Sequence, residues 1–264
     1  MDWWWAYLAV GTFVGFFSGL LGVGGGALMV PLLAFIFDAK GFAPPHVVHL
    51  ALGTSVAAML FTAAASARSH YLHNAINSSV LARIVPGVLV GTLAGAALAS
   101  QLDARLLTIA FTVLIFWAAT LMVVEVKGQP ARELPGALRM SAVSGAIGLF
   151  SSLTATGGSA MVVAYLVRRG ISVHHAIGTA SAVSWSLALF GTIGYLAAGA
   201  TVPGLPSWSI GFIYLPALAL IVATGIVMAP VGAAVAHRTP GRTLKRVFAV
   251  VLFALATGML VRFF

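Results

Sequence analysis

Ten apolar runs, parted by short polar or Gly/Pro breaks, take up most of this chain, and the residues between them are too few to coat a soluble core. In the first half the runs cover residues 4–20, 27–37, 46–67, 80–99 and 106–124. In the second half they cover residues 140–149, 159–167, 174–198, 209–236 and 244–263. Hydrophobic residues make up 61% of the 264 and charged residues 7%, against about 25% charged in an ordinary soluble domain. A lipid bilayer is the solvent that such a surface requires. The fold class predicted is therefore an all-α polytopic membrane protein.

A formal charge of +9 would suggest nucleic acid in a soluble protein, but the 14 Lys and Arg lie between apolar runs and form no continuous basic face. No nucleic-acid partner is expected. Basic loops are instead the cytoplasmic signature of a membrane protein. With no cysteine in the chain, a disulfide framework, a thiol nucleophile and a cysteine-held cluster are excluded. Met1-Asp2-Trp3-Trp4-Trp5 lacks the basic stretch of a cleavable signal peptide, so the first helix is expected to stay.

Residues 4–37 as one helix would be about 51 Å long at 1.5 Å per residue, while the hydrocarbon core is ~30 Å thick. Gly22-Val23-Gly24-Gly25-Gly26 interrupts this run. The sequence thus predicts two pieces joined by non-helical backbone at membrane depth. If all ten pieces reverse direction, Arg68, Arg83, Lys127, Arg132, Arg139, Arg168, Arg169, Arg238, Arg242, Lys245 and Arg246 share one side, with Lys40, Arg105 and Arg262 opposite. The positive-inside rule favours that arrangement, with both termini outside; pieces that re-enter the membrane would give the same charge pattern.

A duplication is visible. Gly25-Gly26-Ala27-Leu28-Met29-Val30 matches Gly157-Gly158-Ser159-Ala160-Met161-Val162 at an offset of 132. Residues 51–57 match residues 176–182 at an offset of 125. Five pieces per half is an odd number, so halves 1–127 and 128–264 are expected to be inverted repeats in one integral membrane unit. In such folds the site lies at midplane between broken helices.

Both breaks expose backbone N–H groups at helix N-termini, which suit an anion. Candidate binding residues are Gly24, Gly25 and Gly26 at the first break, and Thr154, Thr156, Gly157, Gly158 and Ser159 at the second, unless the glycines serve only close helix packing. Thr54, Ser55, Thr179 and Ser181 on the second repeated block are candidate site walls, although Ser and Thr in membrane helices also bond across to neighbouring helices. His49 and His174 are candidates to donate to an anion or relay a proton, or are interfacial histidines near helix ends. His46/His49 and His70/His73 each place two rings on one helix face. No cysteine or nearby carboxylate completes either pair, so no metal site and no cofactor are predicted.

The acids Asp2, Asp38, Asp103, Glu125 and Glu133 all fall at ends or loops. Cation-coupled carriers place a carboxylate within the membrane, so a metal-cation carrier is disfavoured. No zinc-helix or nucleophile-elbow motif is present, and no enzyme is predicted. Gly11/Gly15/Gly19 and Gly87/Gly91/Gly95 repeat every four residues and permit close helix contact, within the chain or across a homodimer seam. Pro216 and Pro230 are expected to kink the ninth piece.

Gly19-Leu20-Leu21-Gly22-Val23-Gly24-Gly25-Gly26 followed by Met29-Val30-Pro31-Leu32-Leu33 resembles the N-terminal signature of the TauE/SafE family of sulfite exporters. Thr156-Gly157-Gly158-Ser159 and His174-His175-Ala176-Ile177-Gly178-Thr179-Ala180 resemble its second signature, and the similarity spans nearly the whole chain. The resemblance implies an inner-membrane permease for small sulfur-containing oxyanions such as sulfite or organosulfonates. A permease of another small anion, such as a carboxylate, is the alternative. Ala27, where the second copy has Ser159, implies an asymmetric site.

Overall fold

The computed structural model describes residues 3–21, 25–123, 135–236 and 241–263. Gly24, Lys127, Arg132, Arg238 and the 127/128 repeat boundary lie outside the described residues. The helices are α1 (Trp4–Leu21), α2 (Gly26–Ala39), α3 (Pro44–Leu72), α4 (Ser78–Gln101), α5 (Ala104–Val123), α6 (Ala137–Thr154), α7 (Ser159–Arg168), α8 (Val173–Gly199), α9 (Leu215–Ala236) and α10 (Gly241–Phe263). Each of the ten expected pieces is a helix. Side-chain caps fix three of the starts: Asn77 accepts the Val80 N–H before α4, Asp103 that of Leu106 before α5, and Ser172 that of His175 before α8.

The ninth piece differs from expectation. It begins at Leu215, because Ser209–Ile210 (β1) and Ile213–Tyr214 (β2) pair as a small antiparallel hairpin. Ile210, Phe212, Ile213 and Tyr214 favour extended backbone, and Gly211 turns the chain at φ 54°. Pro216 therefore falls in the first turn of α9, where its missing N–H removes no helical bond, and causes no kink. Pro230 does lie inside the helix.

Among the described residues four helices, spanning Pro44–Leu72, Ser78–Gln101, His174–Gly199 and Leu215–Gly232, are long and apolar enough to cross a membrane. Val90, Val113, Val227, Val250 and Val261 stand more than half exposed on α4, α5, α9 and α10. Such a surface is solvated by acyl chains and not by water. The chain is a multi-pass membrane protein.

At each break the chain folds back on itself. Gly25 packs against Val14 and Ser18 of α1, and Gly158 against Ile147 and Ser151 of α6. The Tyr7 ring near the start of α1 lies 6.4 Å from Phe37 near the end of α2, so the two helices are antiparallel. The 14 residues of α2 and 10 of α7 are only about 21 and 15 Å long. Neither is long enough to cross a ~30 Å hydrocarbon core as one straight helix, as the interrupted runs predict.

The sequence halves do not fold side by side. Helix α9 packs on α1 and α3, while α4 packs on α6 and α8; α3 meets α8, and α5 meets α10. One buried cluster joins α4, α6, α7 and α8, so the fourth helix of each half is built into the other half. The glycine stripes make these exchanges possible. Gly11, Gly15 and Gly19 lie against Ile221, Gly225 and Ala229 of α9, and Gly87, Gly91 and Gly95 against Ser141, Gly145 and Leu149 of α6. Both stripes are used up inside the chain.

Helices α3 and α8 run antiparallel. Ala75, just past α3, touches Gly178 near the start of α8, while Phe212 touches both Gly53 of α3 and Gly199 at the far end of α8. Arg68, Arg83, Arg139, Arg168 and Arg169 consequently gather at one end, where the Ser141 hydroxyl donates to the Arg83 carbonyl (2.8 Å) and a His175 ring nitrogen meets the Ala75 carbonyl (3.3 Å). At the other end Arg262 grips Asp38 through two nitrogens at 2.9 and 2.7 Å, and Lys40 donates to the Tyr214 hydroxyl.

Candidate functional site

The breaks are built alike. Gly25 (φ 68°, ψ −8°) precedes α2, and Gly158 (φ 63°, ψ −4°) precedes α7. Both are left-handed, a conformation that glycine adopts without steric cost. The helix starts, and not the matching letters, define the equivalence: Gly25 pairs with Gly158 at an offset of 133, one residue from the sequence match. Gly26, not Ala27, therefore stands where the second copy has Ser159. The two breaks also touch, since a Cβ on Gly26 would run into the carbonyl of Ala155, the left-handed residue that ends α6.

Beside this junction lies a small cavity of about 10 Å³, walled by Val56 and Met59 of α3, Thr92 of α4, Ser151 and Ser152 of α6, Gly157 of the break, and Leu187 and Gly191 of α8. It has room for roughly one water. No wall residue is ionisable. The hydroxyls of Thr92, Ser151 and Ser152 are buried and have no hydrogen-bond partner, as are those of Ser55 and Ser159. An unpaired buried hydroxyl costs about 1–3 kcal/mol, and Thr92, Ser151 and Ser152 are three such residues among those that line the cavity. The neighbouring groups are held firmly. The Ser184 hydroxyl donates to the Gly157 carbonyl (2.7 Å), and the fully buried Tyr195 hydroxyl donates to the Ser152 carbonyl (2.9 Å). Thr154 donates to the Phe150 carbonyl (3.0 Å), which leaves Thr156 to donate to the Thr154 oxygen (2.9 Å).

Of the residues singled out from sequence, Gly157 lines this cavity, and Gly158 abuts two of its walls, Ser151 and Leu187. Gly25 faces α1 instead. Thr54 and Thr179 are buried and accept backbone N–H groups, from Tyr214 and Asn77 respectively, each at 3.0 Å. Ser181 donates to the Gly178 carbonyl (2.7 Å). His49 is buried with Nδ1 at the Pro45 carbonyl (3.0 Å) and Nε2 at those of Ala99 (2.9 Å) and Leu102 (3.2 Å), its ring stacked on Phe212. His174 is exposed at the arginine-rich end beside His175.

Thr92, Ser151, Ser152 and Met59 escaped the sequence reading as site residues. The run Ser151-Ser152-Leu153-Thr154 advertised hydroxyls at the second break. Thr92 was hidden inside a glycine stripe that reads as packing.

A "Probable membrane transporter protein" of Haemophilus influenzae is 30% identical to this chain over 256 residues, covering 97% of both proteins. No solved structure matches. The family described as "Sulfite exporter TauE/SafE" matches residues 7–259, nearly the full length from Tyr7 in α1 to Met259 in α10, and the chain therefore belongs to this family of membrane transporters.

Proposed function

We propose that this protein carries small sulfur-containing oxyanions, sulfite or organosulfonates, across the inner membrane. The anion binds in the cavity between the second break and the α3–α8 pair, near midplane, with the halves as inverted repeats about it. The observation that carries this reading is the wall of three unpartnered hydroxyls, Thr92, Ser151 and Ser152, in a cavity without a carboxylate. These groups and the N-terminus of α7 offer donors and positive potential to an anion. The cavity has room for roughly one water, and it must widen before an oxyanion enters. Titration of the purified protein with sulfite, alkyl sulfonates and short carboxylates tests the assignment. Sulfite or a sulfonate is expected to bind at least tenfold more tightly than the carboxylates. Tighter carboxylate binding would move the substrate to that class, and binding of Na⁺ or Zn²⁺ without any anion would overturn the charge assignment.

The orientation we propose puts the arginine-rich end in the cytoplasm and both termini outside. The chain has no cysteine, so single cysteines report cleanly. Ala39→Cys should react with an impermeant thiol reagent on intact cells. Tyr71→Cys and Leu138→Cys, at exposed positions of the opposite end, should react only after permeabilisation. The reverse pattern would invert the topology.

A further inference from the structure

We propose that Thr54 and Thr179 are the two gate latches of this transporter, each hydroxyl holding shut the end of the molecule at which it lies. The proposal rests on the transport reading above and adds how access to the cavity is controlled.

The two threonines occupy equivalent positions, 125 residues apart, on the antiparallel helices α3 and α8. Both are wholly buried. Neither hydroxyl bonds within its own helix; each accepts the N–H of the residue just before a helix of the other half, Tyr214 before α9 and Asn77 before α4. The preceding glycine completes each latch. A Cβ on Gly53 would lie 2.9 Å from the Phe212 carbonyl carbon, and one on Gly178 would lie 2.7 Å from that of Ala75. The Gly-Thr pair thus lets an incoming loop settle against the helix and then catches its N–H.

From Thr54 to the end of α3, beside Thr179, is about 27 Å of helix. The cavity residues Val56, Met59, Leu187 and Gly191 lie between the two latches. The hairpin latch also has an outer fastening, because Lys40 donates to the Tyr214 hydroxyl and sits over its ring and that of Phe42. With both latches formed, the residues that line the cavity are all buried. In hydrocarbon an N–H without a partner is costly, so each loop stays docked until water takes over its N–H. Each latch also joins α3 or α8 to a packed pair of the other kind. Tyr214 leads into α9, which packs on α1; Asn77 leads into α4, which packs on α6 and its cavity serines. Release of one latch moves one pair and opens one end.

The test uses Val56→Cys as a cavity reporter in the full-length chain, reconstituted in vesicles of one orientation and treated with an impermeant thiol reagent on either face. Thr54→Val should raise labelling from the hairpin face about threefold, the ratio that matches an average interhelical hydrogen bond in a membrane. Thr179→Val should do the same from the arginine-rich face alone, while both Thr→Ser variants, which keep the acceptor, should label at the parent rate. Gly53→Ala and Gly178→Ala, which wedge the same loops away, should reproduce the two directions if either valine variant fails to fold. Equal increases on both faces, increases on the wrong face, or no change in well-folded protein would overturn the latches. The readout needs no substrate: side-specific labelling without sulfite or sulfonate binding would keep the latches and reject the anion assignment, and binding without side-specific labelling would do the opposite.

Discussion

Vesicles carrying Gly157→Val should show anion flux at least a hundredfold below the parent protein, with the same amount of protein in the membrane. Gly157 sits at φ 70°, a region in which a β-branched residue is strained by about 1–3 kcal/mol. The added Cβ would lie 2.9 Å from the Met59 sulfur and 3.6 Å from the Ser184 hydroxyl, inside a cavity that already holds only about 10 Å³. The two valine methyls would fill the space that an anion needs. The helices are untouched, so insertion should persist. Flux within twofold of the parent would remove Gly157 from the transport path.

The second large effect has two readouts of opposite sense. Replacing Thr92 by Val, and Ser151 and Ser152 by Ala, deletes three hydroxyls that have no protein partner. A charge-assisted hydrogen bond is worth about 1.5–3 kcal/mol, so each deletion should weaken anion binding roughly tenfold or more. The three groups share one cavity, so their effects combine less than additively, to about a hundredfold in the triple variant. Removing unsatisfied buried hydroxyls should meanwhile leave the melting temperature unchanged or raise it by roughly 2 °C. Calorimetric titration and thermal unfolding of the same detergent-solubilised sample check both signs. A large fall in melting temperature with unaltered affinity would make these hydroxyls structural.

The helices, their breaks and the glycine stripes were legible in the sequence because they follow from hydrophobic runs and local backbone chemistry. The hairpin before α9 was not: Ser209 to Tyr214 is apolar enough to extend the helical run, and its shape is fixed by a tertiary partner, the Thr54 hydroxyl. Residues at the second break were partly legible. Gly157 was found through its place in a motif. Thr92 could not be, since its importance lies in what it lacks, a hydrogen-bond partner, and that is settled only when α4, α6 and α8 are packed together. Thr54 and Thr179 show the converse. Their repetition was evident, but sequence alone could not tell whether they would face a ligand or a loop. The register of the repeat slipped by one residue because runs of glycine match each other in more than one alignment.

The close approach of Gly19 to Ala229 bears on stoichiometry. Adding 133 to a position in α1 gives its counterpart in α6, and adding 137 carries α4 onto α9, as Asn77 and Tyr214 show. Gly19 and Ala229 are then the counterparts of Ser152 and Thr92. The place where the second half opens a hydroxyl-lined chamber is, in the first half, backbone pressed on backbone, with the Ala229 carbonyl carbon 2.7 Å from where a Gly19 side chain would begin. Placing serine and threonine there would not create a chamber, because a side chain on Gly19 would meet the Ala229 backbone. The anion site we propose is therefore one per chain, built where α4 meets α6, with no second chamber between α1 and α9.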